Sequence, residues 1–286
     1  MKILIVGALA AGASAAARLR RLDEQAEIIM FEKGPHVSFS NCSLPYRLSE
    51  TVNQTEKLVM MTPQDFAQRY NIDARVSSEV ISICRKEKKV TVRNLAEGRE
   101  YEETYDKLIL APGAEAVVPR IKGIEGAKVF TIRNVVDIQR LYSFLKTGEV
   151  KKVSVIGGGF IGVEAAVNLV EAGYKVSLIE SMTQILRTFD YDMVQILQKE
   201  MLDKGVDLIV GDQAEEFEGS SVKLKSGKLV ESQAVVMAVG VKPDTALAAE
   251  AGLELGPRGA IQVDGNYRTS DPDIYAVGDA IQVFNA

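Results

Sequence analysis

Two stretches of the chain follow the same short plan. Residues 2–19 read KILIVGALAAGASAAARL, and residues 152–169 read KVSVIGGGFIGVEAAVNL. In each, an apolar strand runs into a glycine-containing turn and then into a helix of small residues. A second strand that ends in an acid follows each copy, at Glu32 and at Glu180. Because strands that alternate with helices pair in parallel, the repeat predicts two βαβ units.

The rest of the chain completes two α/β halves. Apolar strands containing glycine follow later in each half, at 107–114 and 234–244. Alternating segments at 79–84, 89–94 and 100–105 predict an antiparallel meander, and residues 213–231 predict its counterpart. Amphipathic helices are predicted at 135–146 and 193–205, the second ended by Gly205. The predicted fold class is therefore α/β, with two parallel sheets and antiparallel meander insertions.

The second glycine turn has the full pattern of a dinucleotide site. Glycines let the backbone approach a pyrophosphate, the helix N-terminus holds the anion, and an acid about 20 residues on binds the ribose. Gly157, Gly159 and Gly162 supply the glycines, and Glu180 supplies the acid. An acid here favours NADH over NADPH, because it repels a 2′-phosphate. The alternative reading is a tight strand–helix turn without a ligand.

The first turn has the same pattern with one departure. Gly7 and Gly12 flank the turn, and Glu32 is the acid at the end of the next strand. Leu9 stands where the middle glycine belongs. We therefore expect a dinucleotide here as well, with a somewhat different approach of the backbone to the phosphates.

Composition excludes several other classes of protein. The chain has 286 residues, 47% of them hydrophobic, and a net charge of −5, which disfavours nucleic-acid or membrane partners. No apolar run reaches the roughly 18 residues that a membrane span needs. Two cysteines do not make a disulfide framework, which favours the cytoplasm. A single histidine, His36, excludes a zinc site built on two histidines, and no metal is predicted.

The tail adds a third motif, TSDPDIYAVGDA at 269–280, which contains Asp279. With its two dinucleotide turns, the chain resembles the pyridine nucleotide–disulfide oxidoreductases along its whole length. The resemblance implies two Rossmann-like domains. Residues 1–112 and 247–286 would bind FAD, with Asp279 on the ribityl chain, and residues 113–246 would bind NAD(P)H. Members of this family continue into a C-terminal interface domain that pairs two subunits, so we expect a chain truncated before that domain and a homodimer in the complete protein.

The segment SFSNCSLPYRL at 38–48 separates the branches of this family. The second cysteine of a CxxxxC pair is missing, since Arg47 stands in its place. The segment resembles the single-cysteine branch, and in particular the CoA-disulfide and CoA-persulfide reductases, which implies that Cys42 is catalytic. The peroxidase histidine is absent from the first turn, where Ala10 and Ala11 stand. Cys84 lies in an apolar alternation and is expected to be structural.

The same resemblance implies roles for several further residues. Phe160 matches the aromatic residue that covers the flavin until nicotinamide displaces it, and Glu164 follows on the same helix. A bound CoA would contact residues of the first helix and two later segments, namely Ser14, Arg18, Arg21, Ser38, Asn41 and Tyr70. The alternatives are a core aromatic residue for Phe160 and a solvated basic face for the arginines.

The sequence as a whole predicts an oxidoreductase that uses FAD, NADH or NADPH, and a single redox-active cysteine. Its expected substrates are CoA disulfide, CoA persulfide or polysulfide. The alternatives are an NADH oxidase that forms water or peroxide, and a flavin-binding electron-transfer or redox-sensor module.

Overall fold

The computed structural model describes residues 1–283 and divides the chain into two compact units. Unit 1 comprises Met1–Phe39, Val59–Glu115 and the chain from Lys242 onward. Unit 2 comprises Ser40–Leu58 and Ala116–Val241. Each unit contains one copy of the repeated strand–turn–helix plan, so the internal repeat of the sequence is also a repeat of structure.

The strands are short, as is usual in α/β sheets. In chain order they are β1 (Lys2–Val6), β2 (Glu27–Phe31), β3 (Asp73–Arg75), β4 (Ser78–Cys84), β5 (Lys89–Asn94), β6 (Arg99–Thr104), β7 (Lys107–Leu110), β8 (Ala114–Ala116), β9 (Val129–Phe130), β10 (Lys152–Ile156), β11 (Lys175–Glu180), β12 (Val206–Val210), β13 (Ala214–Phe217), β14 (Ser221–Leu224), β15 (Leu229–Glu231), β16 (Ala234–Met237), β17 (Val241–Pro243) and β18 (Ile274–Ala276).

The α-helices are α1 (Ala10–Leu22), α2 (Pro63–Tyr70), α3 (Val135–Leu145), α4 (Phe160–Glu171), α5 (Tyr191–Asp203) and α6 (Ala246–Glu250). Short 3₁₀ helices lie at Asn41–Ser43, Pro45–Arg47, Thr55–Leu58, Ile124–Gly126 and Gly278–Ala280. Within residues 1–283, no helix is both long and apolar enough to cross a bilayer.

A five-stranded parallel sheet forms the centre of unit 1, in the order β18-β7-β1-β2-β3. The chain passes from β1 through α1 to β2 on one side, whereas β7 and β18 lie on the other side. The strand order therefore reverses beside β1. Ligands of open α/β sheets bind at such a reversal, outside the carboxyl ends of the strands. The first glycine turn follows β1 directly and lies at this position.

The two faces of this sheet are covered differently. On one face, Ile3, Ile5 and Met30 pack with α1, whose alanines Ala13 and Ala16 let the helix approach closely. The other face packs against the antiparallel meander β4-β5-β6, through a buried cluster that joins sheet and meander. Both faces of the parallel sheet are thus buried, which explains why its strands read as nearly continuous apolar runs.

Unit 2 repeats this architecture. Its parallel sheet has the order β12-β11-β10-β16-β9, so the order again reverses beside the first strand of the repeat. Helix α4 covers one face, with Ala165, Ala166 and Leu169 fully buried. The meander β13-β14-β15 packs on the other face.

Two helix ends are fixed by identifiable residues, of which the sequence predicts only the glycine after α5. The Asn134 side chain caps α3 by accepting a hydrogen bond of 2.8 Å from the Asp137 amide. Helix α5 ends at Asp203, and Gly205 follows with φ +93°, a conformation that side chains disfavour.

The predicted α/β class with two parallel sheets and two meanders is confirmed. The division into an FAD-binding and an NAD(P)H-binding domain remains a prediction, because the compact units are defined by packing and not by ligands. The units and the predicted domains differ most at Ser40–Leu58, which packs with unit 2 although residues 1–112 were assigned to one domain. The chain passes between the units within β8 and β17.

Candidate functional site

The first turn is closed by two glycines that no other residue could replace without movement. Gly7 has φ +94°, and a Cβ added there would lie 2.1 Å from the Ala111 carbonyl oxygen. A Cβ added to Gly12 would lie 1.8 Å from the Gly7 carbonyl oxygen. The absence of side chains brings strand, turn and helix close together, as a dinucleotide cradle requires.

The second turn has the same geometry. Gly157 has φ +106°, and its Cβ would lie 2.3 Å from the Ala238 carbonyl oxygen. A Cβ on Gly162 would lie 1.9 Å from the oxygen of Gly157. Neither α1 nor α4 has a side-chain N-cap or an acid in its first turn, so the free amides at each helix start are available to an anion.

The middle position differs between the turns less than the sequence suggests. Gly159 has φ −77° and ψ −176°, and no atom lies within 4 Å of where its Cβ would be. Leu9 has φ −96° and ψ −150°, which is the same extended region. The conformation is one that any residue adopts, so leucine is compatible with it. That the backbone at Leu9 approaches the phosphates differently stays a prediction.

Each turn is joined to the acid at the end of the second strand. Glu32 accepts hydrogen bonds from the amides of Ala8, at 3.1 Å, and Gly34, at 2.9 Å. Glu180 accepts one of 2.6 Å from the Gly158 amide and one of 2.8 Å from the Met182 amide. A carboxylate has about four lone-pair sites, so both acids can also accept from ribose hydroxyls.

A cavity of about 310 Å³ opens beside the first turn in unit 1 and is lined by Gly7, Glu32 and Lys33. Asp279 follows β18 at the same edge of the sheet, because β18 pairs in parallel with β7. Its neighbour Gly278 has φ +78°, and a Cβ there would lie 2.9 Å from the Cβ of Ala11. The GD motif therefore lies against the start of α1, with the Asp279 side chain exposed.

A larger cavity of about 890 Å³ surrounds the second turn in unit 2. Its lining contains the glycines of the turn and Glu180, and also three cations that sequence reasoning missed: Arg120, Arg187 and Lys225. These cations come from three separate segments, so no local motif marks them. The same lining also contains three acids, Glu180, Asp212 and Glu215, so the cavity has no net positive charge. The cations are the groups in it that can form charge-assisted hydrogen bonds with phosphates.

Phe160 opens α4 beside this cavity and has 61% of its surface exposed. Its ring contacts the Phe189 ring edge to face, with the centroids 6.0 Å apart. The alternative of a core aromatic residue does not fit this exposure. Glu164 lies one turn further along α4 and accepts a hydrogen bond from the Tyr46 phenol, which raises the pKa of that phenol.

Cys42 lies in the 3₁₀ helix Asn41–Ser43, within the part of unit 2 formed by Ser40–Leu58, and is exposed. Pro45 begins a second short 3₁₀ helix directly after it. The hydroxyls of Ser40 and Ser43 lie 2.7 Å apart on either side of the cysteine. Cys84, in contrast, is half-buried at the end of β4. The structure therefore presents Cys42 to solvent more openly than Cys84.

The residues predicted to contact CoA do not all lie in one unit. Ser14, Arg18 and Arg21 are exposed along one side of α1, and no carboxylate within residues 1–283 pairs with either arginine. Tyr70 ends α2 and belongs to the core cluster packed against α1. Ser38 follows in unit 1, with its amide donating to the Ala8 carbonyl at 2.9 Å. Asn41 lies in unit 2 beside Cys42.

The geometry of both turns fits a dinucleotide. Each has a cradle that a Cβ would fill, uncapped helix amides, and an acid hydrogen-bonded to the turn. Unit 1 and unit 2 each provide one such set of groups. In the described part of the chain, no group of three or more His, Cys, Asp or Glu is placed to hold a metal ion.

Comparison with known proteins agrees with this geometry. The profile of the family described as pyridine nucleotide-disulphide oxidoreductase matches residues 1–285. The coenzyme A disulfide reductase of Staphylococcus aureus (strain JH9) is 36% identical over 278 residues, which cover 97% of this chain and 63% of that protein. The chain thus spans less than two thirds of the length of this relative.

Two solved structures are also similar. The reduced CoADR-RHD of Bacillus anthracis superimposes with a TM-score of 0.96 at 45% identity, over 98% of this chain and 51% of that one. An NAD-dependent persulfide reductase from A. fulgidus superimposes with a TM-score of 0.94 at 33% identity, over 98% of this chain and 53% of that one.

Proposed function

Since the chain belongs to the pyridine nucleotide-disulphide oxidoreductase family, whose members typically bind FAD and NAD(P)H, we propose that it is a reductase with Cys42 as its redox-active thiol. The proposed substrates are CoA disulfide, CoA persulfide or polysulfide. One observation carries the proposal: a chain with two glycine turns of equal geometry also exposes Cys42, in the first of two successive 3₁₀ helices. The names of the relatives support the same substrate class.

We assign FAD to unit 1. The turn of Gly7 and Gly12 receives the pyrophosphate, Glu32 accepts from the adenosine ribose, and Asp279 bonds the ribityl chain. When bound, the flavin takes a hydride from the nicotinamide and passes the electron pair to sulfur.

We assign the nicotinamide dinucleotide to unit 2. Gly157, Gly159 and Gly162 form the turn, and Glu180 accepts from the ribose hydroxyls. Arg187 lines the same cavity and is available to phosphate oxygens. Phe160 covers the cavity until the nicotinamide ring displaces it; its exposure supports such a movable role.

The reaction proposed for Cys42 needs only one protein thiol. The thiolate attacks one sulfur of CoA disulfide, forms a mixed disulfide and releases one CoA thiolate. Two-electron reduction of the mixed disulfide would release the second CoA thiolate and restore the Cys42 thiolate, and bound NADH and flavin would supply that electron pair. In total, NADH, one proton and one CoA disulfide give NAD⁺ and two CoA thiols. When the substrate is CoA persulfide, the products are one CoA thiol and sulfide.

The exposed side of α1 supports CoA as the carrier of that sulfur. Arg18 and Arg21 lie one turn apart on α1, and Ser14 lies on the same side of the helix. CoA carries phosphates, and unpaired guanidinium groups bind phosphates through charge-assisted hydrogen bonds. Ser38, Asn41 and Tyr70 complete the proposed set of CoA contacts.

We further propose that the complete protein is a cytoplasmic homodimer. The S. aureus relative extends well beyond the matched segment, which leaves room for a pairing domain. A free reactive thiol is also most stable in a reducing compartment.

Acceptor-dependent oxidation of NADH tests the proposed function. FAD-loaded protein in anaerobic buffer should turn over NADH only after CoA disulfide or CoA persulfide is added. In a parallel aerobic assay, oxygen consumption without any disulfide would instead indicate an NADH oxidase. Flavin binding with neither activity would indicate an electron-transfer or sensor module. Either of the last two results contradicts the proposed reductase.

Replacing Glu180 with arginine should shift the cofactor preference toward NADPH. The substitution removes the acceptor for the ribose hydroxyls and adds a cation to a cavity that already contains Arg187. We expect the ratio of kcat/KM for NADPH to that for NADH to rise by about 10- to 100-fold, or roughly 1.4 to 3 kcal/mol. Glu171→Arg makes the same charge change at an exposed site outside the cavity and should leave the ratio unchanged. An unaltered ratio in Glu180→Arg would contradict the assignment.

A further inference from the structure

The segment that carries Cys42 packs with unit 2. Its flanking residues, Phe39 and Val59, belong to unit 1, whereas Ser40–Leu58 groups with unit 2. The segment consists of short 3₁₀ helices and turns, which have little stability of their own. Its position therefore depends on the contacts that it makes with the helices of unit 2.

The first of these contacts is a partly buried hydrogen bond to α4. The Ser49 hydroxyl donates to the Asn168 side-chain oxygen at 2.6 Å. The Asn168 side-chain nitrogen donates to the Glu164 carbonyl at 2.8 Å, so both ends of the amide have a partner. Asn168 is only 2% exposed and lies on an otherwise apolar face of α4. A buried amide is costly unless it is hydrogen-bonded, and here the segment supplies one of the two partners.

A second set of contacts holds the segment to α3. The Arg47 guanidinium lies 3.5 Å from the centroid of the Tyr142 ring. The Tyr142 hydroxyl donates to Glu50 at 2.8 Å, and Lys146 forms an ion pair of 2.5 Å with the same carboxylate. Glu50 has φ +61°, a conformation that is disfavoured for a residue with a side chain. The contacts to α3 stabilise this backbone conformation at Glu50, two residues after Leu48.

We propose that Asn168, acting through Ser49, is a positioning residue that fixes the segment of Cys42 to α4. Helix α4 also begins at the second glycine turn, where Phe160 and Gly162 lie. Because a helix is rigid over this length, the hydrogen bond ties the position of the cysteine to the element that would hold the nicotinamide dinucleotide. The catalytic consequence of this inference rests on the proposed function. The anchoring itself can be measured without any turnover.

The anchoring is tested by hydrogen exchange and by alkylation of Cys42, both in a Cys84→Ser background so that only one thiol reacts. Ser49→Ala removes the donor, and Ser49→Thr retains it. We expect amide exchange within 43–52 to rise about fivefold in Ser49→Ala, the size expected for one lost hydrogen bond. The rate of Cys42 alkylation by iodoacetamide should rise with it. In Ser49→Thr, which retains the donor, the exchange rate and the alkylation rate should both equal those of the unmodified serine protein.

A double-variant cycle shows whether the two residues act together. Asn168→Leu should reproduce the effect of Ser49→Ala, and the double variant should show no further increase. Ser220→Ala removes an exposed hydroxyl from the turn before β14 in unit 2, outside the segment and outside α3 and α4, and it is the matched control. Unchanged exchange within 43–52 in Ser49→Ala would overturn the proposal. So would exchange that rises equally throughout unit 2, since Asn168 would then be a general packing residue.

A kinetic measurement separates this inference from the proposed function. In FAD-loaded protein, Ser49→Ala should leave the rate of flavin reduction by NADH unchanged and lower the rate of the later step, reduction of CoA disulfide. An equal loss in both steps contradicts a positioning role for the Ser49–Asn168 pair. Failure of the proposed function would be recognised by a different result, namely CoA-disulfide reduction that does not depend on Cys42.

Discussion

Cys42→Ser should abolish the reduction of CoA disulfide, with a loss of at least about 1000-fold. A serine hydroxyl cannot form the mixed disulfide, so the electron pair has no sulfur to reach. Both dinucleotide turns are untouched by the substitution, so FAD should still bind and NADH should still reduce it. Stopped-flow spectra of the flavin, recorded first with NADH and then with CoA disulfide, measure the two steps separately.

Cys84→Ser is the matched control for this prediction. Cys84 is half-buried at the end of β4 in unit 1, and a hydroxyl there should cost about 1 kcal/mol of folding free energy while leaving turnover intact. Full disulfide-reductase activity in Cys42→Ser would falsify the proposed mechanism. Retained oxygen consumption in that variant, with release of peroxide, would instead favour the oxidase alternative.

Gly12→Val should eliminate FAD binding. A Cβ at this position lies 1.8 Å from the Gly7 carbonyl oxygen, so α1 has to move away from β1. That movement opens the turn that would hold the pyrophosphate. We expect FAD affinity to fall by at least about 100-fold, since a displacement of this kind costs roughly 3 kcal/mol. The flavin absorbance of protein purified in excess FAD, together with a titration of apoprotein, measures the loss.

Gly265→Val provides the control in the same unit. Gly265 has no neighbouring atom within 4 Å of an added Cβ, so the substitution adds the same side chain without a clash. This variant should remain yellow and should bind FAD as the unmodified protein does. If Gly12→Val binds FAD with unchanged affinity, the first turn is not the flavin site, whatever unit 2 binds.

Much of the architecture could be read from local sequence. The two parallel sheets and the two meanders could be predicted from hydrophobic periodicity, because the spacing of apolar residues reflects which strand faces are buried. The stop of α5 at Gly205 follows from the positive φ that glycine accepts. The glycine turns are the clearest case, because Gly12 and Gly162 are required by contacts that form within a few residues of each.

The same reasoning missed the cations of the second cavity. It also could not show that Leu9, with a φ of −96°, occupies a conformation that needs no glycine. Arg120, Arg187 and Lys225 meet in one cavity from three segments, and a pattern search along the chain has no reason to group them. The roles of Cys42 and of the residues proposed to bind CoA remain predictions.

The sequence by itself determined the two strand–turn–helix repeats and the glycines that close their turns, because those properties depend on neighbours within one repeat. Only the tertiary structure decided where the segment of Cys42 is held. Its anchors, Asn168 and Tyr142, lie roughly a hundred residues further along the chain, and a hydrogen bond such as the 2.6 Å contact between Ser49 and Asn168 leaves no periodicity in the sequence. Contacts between distant segments arise when helices and strands pack against one another, and that packing assigns the cysteine to unit 2.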